Sequence, residues 1–253
     1  MVKEQNTVAP VVNFNRGRPG KGGGSGDGSG MEDMFLAMLL GIFKDLENSM
    51  EFFCDEENMK SKICYKLIPQ EQLSELGNVP HRMIYDMALI YAYIYLGSYV
   101  MRGDSIITEK DMEQLGMTEP ELFEEAKKNT PNILKAVIES MDEIPDFVDE
   151  EEQGIEAIYA VTNESAIYGS TSLIYEGLLK EIADANLGKE FVIYAGSCDF
   201  SLVFVVDPTC TDNIVELIKK SMKEIQEEHN YSTLSNLVYS INKSGGLELY
   251  DEL

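Results

Sequence analysis

Histidine is almost missing from this chain: His81 and His229 are the only two, and they lie far apart. The four cysteines, Cys54, Cys64, Cys198 and Cys210, form no C-x-x-C pair. A structural zinc site needs closely spaced Cys and His ligands, so its usual patterns are excluded. Acidic runs do not replace them. Glu109, Asp111 and Glu113, or Asp149 to Glu152, do not fit a calcium loop, which needs glycine at its sixth position and glutamate at its twelfth. The sequence therefore predicts neither a metal nor a cofactor.

Basic residues are scarce as well. Lys and Arg number 20 against 45 Asp and Glu, a formal net charge of −25. Acids outnumber bases more than twofold both in 31–152 and in 153–253, so the charge covers the whole body. Such a field repels phosphates, which argues against direct nucleic-acid binding and against an anionic membrane surface. Solubility is the simplest role for it. A second role is imitation of nucleic acid, an acidic surface that occupies a basic protein.

No hydrophobic run is long enough to cross a bilayer. The longest uncharged apolar stretch, Met87 to Met101, falls short of the roughly 20 residues a span requires. Residues 81–101, "HRMIYDMALIYAYIYLGSYVM", are expected to form a buried central helix. The opening "MVKEQNTVAPVV" lacks the apolar core of a secretory signal. Scattered thiols without such a signal point to a reducing cytoplasm.

Glycine, by contrast, is concentrated in "GRPGKGGGSGDGSG" (17–30). The tract is not a Walker loop: Gly22 follows Gly20-Lys21 where Ser or Thr is required, and Asn15 stands where the first glycine belongs. Its composition predicts a flexible linker. Before it, "NTVAPVVNFN" (6–15) alternates weakly, like an edge strand. After it, Met34, Phe35, Met38, Ile42 and Leu46 recur at helical spacing.

Further along, "KICYKLI" (62–68) has strand composition. Thr108 with Asp111 and Thr118 with Glu121 read as capping boxes, and Gly116 as the end of the first of these helices. Thr130 before Pro131 predicts the start of a third helix. "MDEIPDFVDEEEQG" (141–154) has no apolar stripe and reads as a solvated boundary. Beyond it, strands are expected at 155–162, 190–196, 200–207, 236–242 and 246–250, with helices at 173–188 and 211–230. A turn at Lys243–Gly246 closes the last two strands into a hairpin. The predicted fold is α+β: a mostly helical N-terminal lobe followed by a mixed β-sheet domain of order β-α-β-β-α-β-β. The expected organisation is a flexible segment at 1–30, the helical lobe at 31–145, an acidic linker at 146–153 and the sheet domain at 154–253.

Motifs that could carry chemistry are few. "GSTS" (169–172) lacks the second glycine of a nucleophile elbow, and no histidine lies near Ser170. Cys198 sits in the turn between two strands beside Asp199, which raises a thiol's pKa, so a tolerated surface thiol is expected there.

Four blocks, "VPHRMIYDMALIYAYI", "LGMTEPELFEEAKKNTPNIL", "VTNESAIYGSTSLIYEGLLKEIA" and "FVIYAGSCDFSLVFVVD", resemble in that order an uncharacterised bacterial family, domain of unknown function 5688. The most specific block is T-N-x-S followed by Y-G, here Thr162, Asn163, Ser165, Tyr168 and Gly169. The resemblance implies an accessory protein of gut Firmicutes and no established activity. It also implies a Pro-Ser-Ser-x-His-Glu turn where this chain has Ala195, Gly196, Ser197, Cys198, Asp199 and Phe200. One serine survives, and the proton-carrying histidine does not. The family's strand-rich leading segment is missing too, which makes the copy look truncated at its N-terminus.

The expected function is that of a cytoplasmic, non-catalytic interaction or regulatory protein with an unknown protein or small-molecule partner. The candidate binding surface comprises Asn163, Ser165, Tyr168, Gly169 and Ser197, where loop amides and hydroxyls face a β-turn. The competing role for Asn163 and Ser165 is to cap their own turn. Two other classes remain open: a degenerate hydrolase-like enzyme centred on Ser197 or Cys198, and the acidic nucleic-acid mimic. The first requires a base within hydrogen-bond reach of those side chains.

Overall fold

The computed structural model describes residues 59–96, 102–141, 154–229 and 233–250. The expected edge strand at 6–15, the glycine tract, the helix after Met31 and the linker at 146–153 lie outside the described residues.

The first sheet starts where expected. β1 (Ile63–Pro69) is buried along its whole length, and a short helix, α1 (Leu73–Leu76), follows. β2 (His81–Ile84) and β3 (Met87–Leu96) then form an antiparallel hairpin, and β4 (Arg102–Ile106) pairs with the second half of β3. The central helix expected at 81–101 is therefore corrected to strands. Met87, Leu89, Tyr91 and Tyr93 enter one core, while Ala88, Ile90, Ala92 and Ile94 enter two clusters on the opposite face. A strand buried on both faces has a continuous apolar sequence, and that pattern does not distinguish it from a buried helix.

Helices follow at α2 (Glu109–Gln114) and α3 (Glu119–Ile133), each with a reciprocal capping box at the predicted threonine. Gly116, at φ +63°, lies just past the first of them. The helix start expected at Thr130–Pro131 is not there; both residues belong to the last turn of α3. Thr130 is fully buried. Its Oγ1 donates to the Ala126 carbonyl at 2.6 Å and accepts from the Tyr65 N–H at 3.0 Å. Thr171 likewise accepts from the Leu67 N–H at 3.1 Å. Two side-chain hydroxyls thus satisfy the outer edge of β1, which no strand among the described residues pairs. The stretch after Pro131 becomes β5 (Ala136–Ser140), not a helix. Strands dominate this part of the described chain, so the mostly helical N-terminal lobe is also corrected.

The second sheet contains β5, β6 (Ile155–Asn163), β7 (Glu190–Tyr194), β8 (Ser201–Val206), β9 (Val238–Ile241) and β10 (Leu247–Leu249). A 3₁₀ helix (Gly169–Ile174) and α4 (Leu178–Ala185) lie between β6 and β7, and α5 (Thr211–His229) links β8 to β9. The helix expected over 173–188 is thus divided, with Gly177 at φ +84° in the break. The strand order is β10-β9-β7-β8-β6-β5. Every adjacent pair is antiparallel, which corrects the expected mixed sheet. β6 and β7 do run the same way, as a β-α-β crossover implies, but β8 is inserted between them. β7 separates β8 from β9 in the same manner. The α+β class holds, as a split β-α-β arrangement.

One core cluster joins the sheets: Tyr65, Leu89 and Tyr91 of the first lie in it with Phe191, Ile193, Val203 and Val205 of the second. The opposite face of the second sheet, with Val192, Phe204 and Val206, packs against Ile214, Val215 and Ile218 of α5. The loop after β6 and the β7–β8 turn meet at the end of this sheet, beside the first.

Candidate functional site

Asn163 ends β6 and is almost fully buried. Its Nδ2 donates to the Ile167 carbonyl at 2.7 Å, and its Oδ1 accepts from the Ser165 N–H at 2.9 Å. One amide therefore fixes the loop from 163 to 167 from both ends, the arrangement Asn favours in Asx-turns. Within that loop Ala166 and Tyr168 both adopt φ +52°, a left-handed backbone uncommon for residues with a β-carbon. The conformation is held by contacts across to the β7–β8 turn.

Those contacts come from Thr162, Tyr168, Gly169 and Ser170 on the loop side. The Tyr168 N–H donates to Asp199 Oδ1 at 2.9 Å, and the Ser170 N–H to the Cys198 carbonyl at 3.0 Å. Thr162 Oγ1 donates to the Asp199 carbonyl at 2.7 Å. Ser170 is fully buried; its Oγ donates to the Ser197 carbonyl at 2.6 Å and lies 2.6 Å from Ser201 Oγ. Between them Gly169 leaves no space for a side chain: a β-carbon there would stand 2.1 Å from the Asp199 carbonyl oxygen and 2.3 Å from Thr162 Oγ1.

The loop also reaches the first sheet. Tyr168 OH donates to Asp104 Oδ1 at 2.6 Å, while Asp104 Oδ2 pairs with Lys66 Nζ at 2.5 Å. The same ammonium lies 4.1 Å from the centre of the Tyr168 ring. Lys66 is 5% exposed, so burying its charge demands a partner, and the carboxylate and the ring face together supply one. Burial, with the Asp104 bond, raises the Tyr168 phenol pKa and keeps it protonated as a donor. This trio connects β1, β4 and the loop after β6.

The five sequence-predicted residues therefore converge on one place, though in different roles. Asn163, Tyr168 and Gly169 form the latch itself. Ser165 contributes its N–H to Asn163, and Ser197 Oγ accepts from the Asp199 N–H at 3.1 Å within its own turn. Sequence reasoning missed Asp199, Ser170, Lys66 and Asp104. Asp199 carried a weak signal, an acidic residue in a short strand connection. Lys66 carried another, a lone charge inside an apolar strand.

The geometry gives little support to chemistry at the turn. Among the described residues, neither Ser197 nor Cys198 hydrogen-bonds a histidine or a carboxylate. His81 Nδ1 bonds the Val79 carbonyl at 2.9 Å instead. The Cys198 thiol pKa is raised to about 11, first by burial and then by Asp199, with Lys66 partly offsetting them. No group of three or more His, Cys, Asp or Glu among the described residues is arranged to hold a metal ion. No helix among them is long and apolar enough to cross a membrane.

A second feature lies at the other end of the sheets. A groove of about 320 Å³ is bounded by Ile84 and Tyr85 of the β2–β3 turn, Leu173 to Gly177, and Ser244 to Leu247 of the β9–β10 hairpin. Its wall is braced by Asp86, which accepts from Ser235 Oγ at 2.7 Å, the Asn236 N–H at 2.8 Å and Tyr239 OH at 2.5 Å.

The family model described as "Family of unknown function (DUF5688)" matches residues 31–243, and the chain belongs to that family. No curated protein and no solved structure matches it.

Proposed function

We propose that this member of the DUF5688 family is a non-catalytic interaction protein of the cytoplasm, which takes a basic protein partner on its acidic surface. The observation that carries this reading is the state of the 197–199 turn, the place where a hydrolytic centre would have to lie. There Ser197 accepts from its own turn, Asp199 is occupied by the Tyr168 N–H, and the Cys198 thiol is held protonated. Nucleophilic catalysis needs an activated nucleophile beside a base, and the turn provides neither. The T-N-x-S and Y-G block serves architecture in this reading, tying the two sheets together. The net charge of −25 then favours a cationic partner and fast, salt-sensitive association.

Affinity capture from the source cells at low salt, followed by titration of the captured protein, tests the proposal. A basic partner whose affinity falls steeply as salt rises is the expected result. Turnover of ester, peptide or phosphodiester substrates, abolished by Ser197→Ala or Cys198→Ser, would refute it.

A further inference from the structure

Resting on that reading, we infer that the groove beside Tyr85 is where the basic partner inserts an arginine side chain. Three left-handed residues border the groove: Tyr85 at φ +57°, Gly177 at +84° and Gly245 at +83°. Tyr85 is the unusual one, since a bulky residue pays strain there unless the surroundings impose it. The surroundings do: the carboxylate of Asp86, the next residue, accepts from Ser235 and Asn236 in the segment before β9, and the Tyr85 ring lies 5.4 Å from that of Tyr239. The result is a braced aromatic ring that remains 45% exposed, with Met83 at 47% two residues away on β2.

The polarity of the groove decides the ligand class. On the β9–β10 side, the Ser244 and Gly246 N–H groups both donate to Asn242 Oδ1, at 2.9 and 3.0 Å, and the Gly245 N–H donates to the Asn242 carbonyl at 2.8 Å. A turn whose amides are engaged in this way has no nest for an anion. Glu176, which also lines the groove, has a side chain 85% exposed. Among the described residues its carboxylate pairs with Lys127 at 3.2 Å, a solvent-exposed contact that is easily exchanged. Carboxylate and aromatic face together suit a cation, and a guanidinium is favoured because it stacks on the ring while its N–H groups reach the carboxylate. The volume is enough for one long side chain, and the negative charge of the whole chain draws in a basic segment.

The test uses the full chain and a fluorescein-labelled acetyl-Gly-Arg-Gly-Arg-Gly-amide peptide as probe. Tyr85→Asn keeps a residue that tolerates the left-handed turn while removing the ring, and Glu176→Gln removes the carboxylate. Glu216→Gln, at an exposed position of α5, removes the same unit of charge elsewhere. Tyr85→Asn and Glu176→Gln should each weaken the peptide at least about threefold, with Glu216→Gln within experimental error of the parent. Equal losses in all three variants, or none, would overturn the groove assignment and leave an unlocalised acidic surface. If the parent chain fails to bind the peptide at about 50 mM salt, the basic-partner reading fails with it.

Discussion

Gly169 lies so close to Asp199 that a β-carbon on the glycine would come within 2.1 Å of the aspartate carbonyl oxygen. The clash is with backbone, which cannot rotate away. Gly169→Ala must therefore push the loop after β6 off the β7–β8 turn. We expect a loss of about 2 kcal/mol or more, read as a lower Tm and a lower urea midpoint. An unchanged midpoint would mean that the loop and the turn do not meet as described.

Lys66, Asp104 and Tyr168 make a second, separable prediction. Lys66→Met leaves the half-buried Asp104 carboxylate with Tyr168 OH but without its cation, and breaking a buried pair costs up to about 3–5 kcal/mol. Tyr168→Phe removes only the hydroxyl that donates to Asp104, at about 1–1.5 kcal/mol. The two changes share one carboxylate, so their effects should not add in a double-mutant cycle. Additive effects would separate the tyrosine from the ion pair.

Much of the fold was legible in the sequence, and the exceptions have physical causes. The capping boxes at Thr108 and Thr118 are local signals, and local structure follows them. The β2–β3 hairpin was hidden because its turn uses Tyr85 at positive φ where glycine or asparagine is usual, so Asp86 is the one polar residue marking it. Pro131 suggested a helix start, yet two residues later α3 stops, and Thr130 is there for the edge of β1. Insertion of β8 between β6 and β7 leaves no trace in element order. At the candidate site, Asn163 and Gly169 stood out through the family's T-N-x-S and Y-G block, and the structure gives each a distinct backbone task. Lys66 and Asp104 did not, because they are 38 residues apart and meet only through the pairing of β1 and β4 with β3.

Cys198 supplies a chemical test of the electrostatics. Burial, reinforced by Asp199, raises the thiol pKa to about 11, so roughly one molecule in a thousand carries the thiolate at pH 8. Iodoacetamide should label Cys198 far more slowly in the folded protein than in urea, as followed by peptide mass spectrometry. The folded-state rate should keep rising with pH beyond the range where an ordinary thiol levels off. Labelling at the rate of a free cysteine would show a thiol activated enough to revive the catalytic reading.

Acid stability should report on Glu119. Arg82 grips this carboxylate at 2.6 and 3.0 Å, Tyr91 OH also donates to it, and the Arg82 bond chiefly lowers its pKa. A carboxylate depressed in the folded state stabilises fully above its unfolded pKa of about 4.3, and that contribution disappears as pH falls through the folded value. Glu119→Gln should thus lower Tm at neutral pH, with the gap to the parent closing below about pH 4. A gap independent of pH would assign the loss to packing rather than charge.

The latch, at 162–170 and 197–201, lies apart from the proposed arginine groove. Peptide affinity of the double variant Ser197→Ala/Cys198→Ser, measured by fluorescence anisotropy, tests that separation most directly. The prediction is an affinity for the arginine peptide within about twofold of the parent, because neither side chain lines the groove. A loss of about tenfold or more would place the binding site at the turn and contradict the account.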